Sequence, residues 1–262
     1  KINTKGPIRM GGHKINDYRN NGPELPVWQV ITESSNLGTA RIAKMIGPEK
    51  QREFLSSLGF TKPTSIEMIE ASGGKPLLPK RWNELETMTI SYGHGLSATP
   101  LHLATGYATL ANGGRLVKPT LLEEEKLGLG QQIISKEVAK NSLAMLRGVV
   151  TEGTASLADV NGYFVAGKTG TADKPSAQGG YDKEKNITSF ASIFPIHEPK
   201  YVLVVTLDEA QDTSGPEPKR TAGWTAVPVS AEIIARVAPL LGLRPKFDNK
   251  SSVGVTLSNW QE

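Results

Sequence analysis

The sequence contains no cysteine, no long apolar run and no block of lysine and arginine. The lack of cysteine excludes disulfide bonds and thiolate chemistry, although it does not fix a cellular compartment. No apolar stretch is long enough to span a bilayer, and the opening Lys-Ile-Asn-Thr-Lys is not a signal peptide. The net charge of +4 is mild and spread along the chain, so the sequence does not indicate a nucleic-acid partner.

Length and composition suit a soluble globular protein. The 262 residues are 38% hydrophobic and 21% charged, which is enough for one large domain or two small ones. Because the chain opens with neither methionine nor a leader, we expect a processed or excised piece of a longer protein.

The apolar periodicity changes along the chain from helical to extended. Residues 1–26 are predicted to form short strands between glycines, and residues 61–83 a loop rich in proline and glycine. Apolar spacing and capping signals predict helices at Val27 to Ile46 (interrupted at Ser34-Ser35-Asn36), Pro48 to Leu58, Pro100 to Leu110, Lys136 to about Val149, and Val227 to Leu241. Period-two patterns predict strands at Tyr163 to Thr171, Ile187 to Phe194 and Tyr201 to Leu207, with a long loop at 173–186.

The segment from Val165 to Ala172 concentrates chemically useful groups in a short predicted strand. Alternate side chains of a strand share one face, so Thr169 and Thr171 are expected to point the same way. Lys168 adds a compact positive charge beside them, and Gly170 lets another backbone approach closely. Lys168, Thr169 and Thr171 together are called the ledge below. Their positive charge and hydroxyl groups suit the carboxylate of an extended peptide.

The same segment also fits a phosphate-binding loop. Residues 162–169 read G-Y-F-V-A-G-K-T, and the apolar run 202–209 ends in Asp208 and Glu209, as in magnesium-binding strands of ATPases. A phosphate loop must run straight into a helix whose amide groups hold the phosphates. Here Gly170, Pro175 and the glycines at 179–180 would break such a helix, so the ledge is the preferred interpretation.

The triplet Ser34-Ser35-Asn36 lies between two predicted helical stretches. Serine and asparagine at a helix start often serve only as caps. A hydroxyl and an amide two residues apart can also point together into a cleft. The order of the motifs, with Ser-x-Asn first and Lys-Thr-Gly later on a strand, favours the second possibility.

These residues resemble the serine-reactive penicillin-binding proteins, which use Ser-x-x-Lys, Ser-x-Asn and Lys-Thr-Gly motifs. The chain resembles the transpeptidase domain of class B penicillin-binding proteins, the division type in particular, over nearly its whole length up to about Leu241. Five blocks in this order carry the resemblance: G-P-I-R at 6–9, H-K-I-N-D at 13–17, S-S-N-L-G at 34–38, S-Y-G-H-G-L-S-A-T-P-L at 91–101 and A-G-K-T-G-T-A at 166–172.

The resemblance implies a role for each matching residue. Ser34 would relay a proton to the leaving amine, and Asn36 would hold the substrate amide and the family's catalytic lysine in place. Lys168 would supply positive potential and hydrogen-bond Ser34. Thr169 and Thr171 would bind the terminal carboxylate, with the Thr171 backbone N–H as half of the oxyanion hole.

Two glycine-rich features complete the implied site. Gly170 would keep the strand open to a substrate that lies along it as an added strand. The segment 93–95 would line the cleft, with His94 in a structural role.

The family's nucleophile, the serine of Ser-x-x-Lys, is missing from its expected place. In the family this serine lies upstream of Ser-x-Asn, and no Ser-x-x-Lys precedes Ser34. The formal match Ser72-Gly73-Gly74-Lys75 comes after Ser-x-Asn in a segment rich in glycine and proline. It is not expected to start a helix that would aim both side chains into one pocket, so the chain is expected to begin after the nucleophile.

The resemblance implies an α+β fold, with an antiparallel sheet flanked by helices beside a mainly helical lobe. Residues 1–242 would be the C-terminal part of a transpeptidase domain, and 243–262 a polar tail. The implied function is a peptidoglycan D,D-transpeptidase that cross-links stem peptides in septal cell-wall synthesis. It would act through a serine acyl-enzyme and be a target of β-lactams. No cofactor or metal is implied.

The implied partners are stem peptides ending in D-Ala-D-Ala, β-lactams and, for the full-length protein, membrane proteins of the division machinery. The implied location is the periplasmic or extracytoplasmic face of the inner membrane, with an N-terminal anchor outside this chain. Three alternatives stay open: a D,D-carboxypeptidase or β-lactamase, a non-catalytic penicillin-binding-like module, and a phosphate-loop nucleotide-binding protein.

Overall fold

The computed structural model describes residues 1–123 and 130–247. The chain divides into two compact units, Lys1–Val138 and Ala139–Glu262. Both helices and antiparallel strands are present, so the predicted α+β class is confirmed. Within the described ranges, every helix is too short or too polar to cross a membrane.

Two small antiparallel pairs open the first unit. Strand β1 (Ile2–Asn3) pairs with β4 (Glu24–Leu25), while β2 (Ile8–Met10) and β3 (His13–Ile15) form a hairpin. The prediction of short strands between glycines is therefore confirmed. The hairpin turn lies at Gly11 and Gly12, whose φ angles of 55° and 79° favour glycine.

The helices of the first unit follow the local capping chemistry. Their bounds are α1 (Val27–Thr32), α2 (Asn36–Ile46), α3 (Pro48–Ser57), α4 (Glu84–Ser91) and α5 (Pro100–Ala111). Thr99 caps α5 with Pro100 at its first position, as predicted. The sequence interpretation missed α4, although Asn83 and Glu86 form a capping box at its start.

The buried centre of the first unit joins the hairpin to two helices. Ile15, Leu37, Ala40 and Met88 form an apolar cluster in which no side chain is more than 5% exposed. Because Ile15 ends β3 and Leu37 lies in the first turn of α2, this cluster fixes the hairpin against the start of α2.

The second unit holds a three-stranded antiparallel sheet in the order β5-β6-β7. Its strands are β5 (Ala166–Pro175), β6 (Tyr181–Phe194) and β7 (Tyr201–Asp208). The helices are α6 (Lys136–Thr151), which begins at the end of the first unit, and α7 (Ala226–Leu240). Both helices match the predictions to within two residues.

Two predictions about the first pair of strands were wrong. The segment 173–186 is mostly strand rather than loop, because β5 and β6 continue past a register shift at Asp173/Lys174 to a turn at 176–180. Pro175 is tolerated because β5 has a strand partner on one side only among the described residues. The strand also begins at Ala166 rather than Tyr163, because Phe164 adopts a φ of 45° that interrupts extended backbone.

Candidate active site

Strand β5 carries Lys168, Thr169, Gly170 and Thr171 at one edge of the described sheet. It pairs with β6 on one side, with Lys168 opposite Ala191 and Thr171 opposite Thr188. The segment after Thr169 continues as strand instead of opening a helix, so the phosphate-loop interpretation loses the helix N-terminus that it requires.

Burial changes the acidity of Lys168. Its Nζ donates a hydrogen bond to the carbonyl oxygen of Thr169 at 3.1 Å. Surrounding protein removes water from the ammonium group, and this desolvation lowers the pKa of Lys168 to about 8. The side chain is therefore mostly charged at neutral pH but loses its proton far more readily than a surface lysine.

The hydroxyl groups of Thr169 and Thr171 are held by residues from outside the sheet. Thr154, in the loop after α6, lies with its Oγ1 2.7 Å from the Oγ1 of Thr169. The backbone N–H of Ala222, shortly before α7, donates to the Oγ1 of Thr171 at 3.0 Å. The sequence analysis singled out neither partner, because no local sequence pattern indicates a contact between residues that are 15 or 51 positions apart.

Ser34 adopts an unusual backbone conformation at the junction of α1 and α2. Its φ of 56° lies in the left-handed region, which non-glycine residues rarely occupy. The cap of α2 is Ser35, whose Oγ accepts from the Gly38 N–H at 3.0 Å. Capping therefore belongs to Ser35 and does not account for Ser34. Strain of this kind, held by its surroundings, concentrates at functional sites.

Asp17 holds the junction in place from the segment that follows β3. Its carboxylate accepts the Ser35 hydroxyl at 2.7 Å and the Leu37 N–H at 2.8 Å. The amide nitrogen of Asn36 donates to the carbonyl oxygen of Asn16 at 3.0 Å. The H-K-I-N-D and S-S-N-L-G motifs are thus bound to each other, which the sequence order alone did not reveal.

The predicted site residues fall into the two units. Ser34 and Asn36 belong to the first, and Lys168, Thr169 and Thr171 belong to the second. Their convergence on one cleft therefore stays a prediction.

The formal Ser-x-x-Lys match at Ser72 does not have the geometry of a nucleophile at a helix start. Ser72 lies near the end of a 3-10 helix (Ile69–Gly73), and its Oγ donates to the carbonyl oxygen of Ile69 at 3.1 Å. Lys75 lies beyond the end of this helix. The two side chains are therefore not presented together on the first turn of a helix.

His94 follows α4 and lies beside another ring of the first unit. Its imidazole stacks at 6.3 Å from the ring of Tyr92. Burial, with a smaller contribution from the nearby His13, lowers the pKa of His94. A largely neutral, packed imidazole fits the structural role expected for it.

The glycine before Lys168 is required by close packing, and this yields a stability prediction. A Cβ at Gly167 would lie 2.5 Å from the Ala191 carbonyl oxygen and 2.7 Å from the Phe190 ring. We expect Gly167→Ala to lower the free energy of unfolding by about 1–3 kcal/mol in urea denaturation. The matched control is Gly170→Ala, whose Cβ would meet nothing within 4 Å and which should change stability little. Equal losses in both variants would contradict this prediction.

Comparison with known proteins gives a match over most of the chain. The family model of the penicillin binding protein transpeptidase domain matches residues 1–234. A probable peptidoglycan D,D-transpeptidase FtsI from Caulobacter vibrioides is 32% identical over 258 residues, covering 94% of this chain and 43% of that protein. Penicillin-binding protein PbpB from Mycolicibacterium smegmatis is 34% identical, covering 88% of this chain and 38% of that protein. The chain thus spans less than half the length of these relatives.

Solved structures show the same architecture. The transpeptidase domain of Burkholderia pseudomallei penicillin-binding protein 3 superimposes with a TM-score of 0.83 at 32% identity, covering 94% of this chain and 74% of that one. Penicillin-binding protein 3 of Mycobacterium tuberculosis in complex with ampicillin gives a TM-score of 0.81 at 25% identity, covering 95% of this chain and 58% of that one.

Proposed function

This chain belongs to the penicillin-binding protein transpeptidase family, and we propose that it is part of a peptidoglycan D,D-transpeptidase. The observation that carries the proposal is strand β5, which presents a partly buried lysine and two supported threonine hydroxyls at the edge of the sheet. The relatives named as peptidoglycan D,D-transpeptidases support this choice over the other members of the superfamily.

The substrate would be a stem peptide ending in D-Ala-D-Ala. An extended peptide lying along β5 would place its terminal carboxylate at Thr169 and Thr171, close to the charge of Lys168. The open edge at Gly170 would admit the peptide backbone. The solved relatives in complex with ampicillin and aztreonam support β-lactams as ligands of this chain.

The reaction would proceed through an acyl-enzyme. A serine hydroxyl attacks the carbonyl of the penultimate D-Ala, its proton passes to a lysine base, and the peptide bond breaks with release of the terminal D-Ala. Ser34 would deliver the proton to this leaving amine, and Asn36 would hold the substrate amide. The Thr171 N–H would stabilise the developing oxyanion, a contribution of about 3–4 kcal/mol per donor in comparable enzymes. An amine of a second stem peptide then attacks the ester, which forms the cross-link and frees the serine.

The cellular setting follows from this chemistry. Cell-wall peptides lie outside the cytoplasmic membrane, so we place the protein on its outer face. The protein would take part in septal cell-wall synthesis and would bind membrane proteins of the division machinery. The FtsI-type relatives support the role in septal synthesis.

Penicillin labelling tests the proposal. The complete gene product means the full-length protein that the gene encodes, including any residues before or after these 262. We expect fluorescent penicillin to acylate the complete gene product stoichiometrically, on the serine of a Ser-x-x-Lys motif upstream of Ser34, as read by intact mass and peptide mapping. The 262-residue chain by itself should stay unmodified, because acylation needs a serine beside its base and Ser72 is not so placed.

A second candidate is a non-catalytic module that keeps strand β5 with its lysine and threonines. The same experiment separates the two candidates. A complete gene product that takes no label would support the module. An adduct on Ser34 or Ser72 would overturn the roles assigned to these two serines.

A further inference from the structure

Two segments outside the sheet hold the threonine hydroxyls of β5, and they lie so close together that a Cβ at Gly223 would be 2.8 Å from the carbonyl oxygen of Thr154. We propose that Thr154 and the Ala222–Gly223 segment are positioning residues, which orient the hydroxyls of Thr169 and Thr171 as donors toward a bound carboxylate. The inference rests on the proposed function, because that function supplies the carboxylate.

The contact from Ala222 fixes the polarity of Thr171. A backbone N–H can only donate, so the Thr171 oxygen acts as the acceptor in their 3.0 Å hydrogen bond. The hydroxyl proton of Thr171 is then directed to another acceptor. A carboxylate offers acceptor oxygens only, so the two groups are matched in polarity.

The contact from Thr154 does the same for Thr169 once an anion is bound. The two hydroxyl oxygens lie 2.7 Å apart, and either can be the donor. When Thr169 donates to a carboxylate, its oxygen is left to accept the proton of Thr154. Hydrogen bonds in such a chain polarise one another, so the hydroxyl of Thr154 strengthens the donor that faces the anion.

Gly223 keeps the two supports together. A Cβ at this position would lie 2.8 Å from the carbonyl oxygen of Thr154, closer than real side chains approach. Any larger residue at 223 would push the two segments apart and would disturb both hydroxyl contacts at once. The hydroxyl groups of Thr169 and Thr171 therefore depend on two neighbouring segments that are packed together at Gly223.

The test separates carboxylate recognition from general damage to the fold. In the complete gene product, we would measure the second-order rate constants of acylation by benzylpenicillin and by its methyl ester, which lacks the anion. Thr154→Val should lower the rate constant for benzylpenicillin about two- to tenfold, the usual scale for one hydrogen bond between neutral groups, and leave that for the ester unchanged. Thr154→Ser, which keeps the hydroxyl, should restore the wild-type ratio.

Three further variants sharpen the result. Thr151→Val is the matched control, because that exposed hydroxyl donates to the Arg147 carbonyl oxygen within α6. Gly223→Ala should lower the rate for benzylpenicillin more than that for the ester. In a Thr169→Val background, Thr154→Val should cause no further loss, since Thr154 acts through Thr169.

The outcomes distinguish this inference from the proposed function. If wild-type protein reacts with neither compound, the proposed function fails. If wild-type protein reacts but Thr154→Val keeps the ratio of the two rate constants, the positioning role is wrong. An unchanged ratio with equal losses for benzylpenicillin and its ester would indicate a purely structural contribution of Thr154.

Discussion

Replacing Ser34 with glycine is expected to stabilise the fold and to remove most of the acyl-transfer activity. A φ of 56° strains serine but is natural for glycine, so Ser34→Gly should raise the free energy of unfolding by about 0.5–1 kcal/mol. Loss of the proposed proton relay should lower acylation by penicillin by about 10²- to 10⁴-fold. Urea denaturation and labelling kinetics on the complete gene product would measure the two effects.

The neighbouring serine provides the control for this experiment. Ser35 is fully buried and bonds both Gly38 and Asp17, so Ser35→Ala should lower stability by about 1–3 kcal/mol through loss of the helix cap and of the hydrogen bond to the Asp17 carboxylate. It disturbs the junction but keeps the Ser34 hydroxyl, so it should lower acylation less than Ser34→Gly does. A Ser34→Gly protein that keeps wild-type acylation would show that Ser34 relays no proton, and one that loses stability would show that its conformation is not strained.

Carboxylate recognition is expected to weaken as the pH rises above about 8, together with the charge of Lys168. The lowered pKa means that the protonated ammonium, which attracts the anion, is present below pH 8 and is lost progressively above it. Acylation by benzylpenicillin should therefore fall by up to about tenfold per pH unit above this value. A surface lysine would keep its charge until about pH 10.4.

Two variants assign this pH dependence to Lys168. Lys168→Met should lower acylation by about 10²-fold at neutral pH, because the site loses its positive potential. Lys168→Arg keeps a charge that does not titrate in this range, so any activity that it retains should lack the decline above pH 8. A decline that persists unchanged in Lys168→Arg would assign the titration to another group.

The pKa of Lys168 also affects the stability of the fold. The unfolded chain holds this proton up to about pH 10.4, whereas the folded protein loses it near pH 8. Between these values the unfolded state binds more protons, so this residue makes the fold more stable as the pH rises through that window. Recognition of the anion and stability of the fold therefore respond to pH in opposite directions.

Local chemistry made much of this protein predictable from its sequence. The start of α5 at Thr99-Pro100 and the start of α6 after Ser135 depend on contacts three residues apart, which the sequence displays directly. The rejection of a phosphate loop depended on Gly170 and Pro175, which disfavour a helix in any surroundings. The five ordered motifs likewise pointed to the family that the comparisons show.

Packing decided what local patterns could not express. Pro175 suggested a loop, but an edge position made it compatible with a strand, and pairing with β6 extended both strands. The left-handed Ser34 depends on a junction whose next residues are held by Asp17, 18 and 20 positions earlier. Helix caps reflect neighbours in sequence, whereas these features reflect neighbours in space.

The chemistry of β5 divides in the same way. The sequence by itself determined which groups the strand carries. It also determined that Thr169 and Thr171 lie on the same face, because side chains two positions apart in a strand point the same way. Only the tertiary structure decided that Thr154 and Ala222 hold those hydroxyls and that burial lowers the pKa of Lys168. The polarity of a hydroxyl and the acidity of an ammonium depend on what surrounds them, and residues far apart in the chain supply those surroundings.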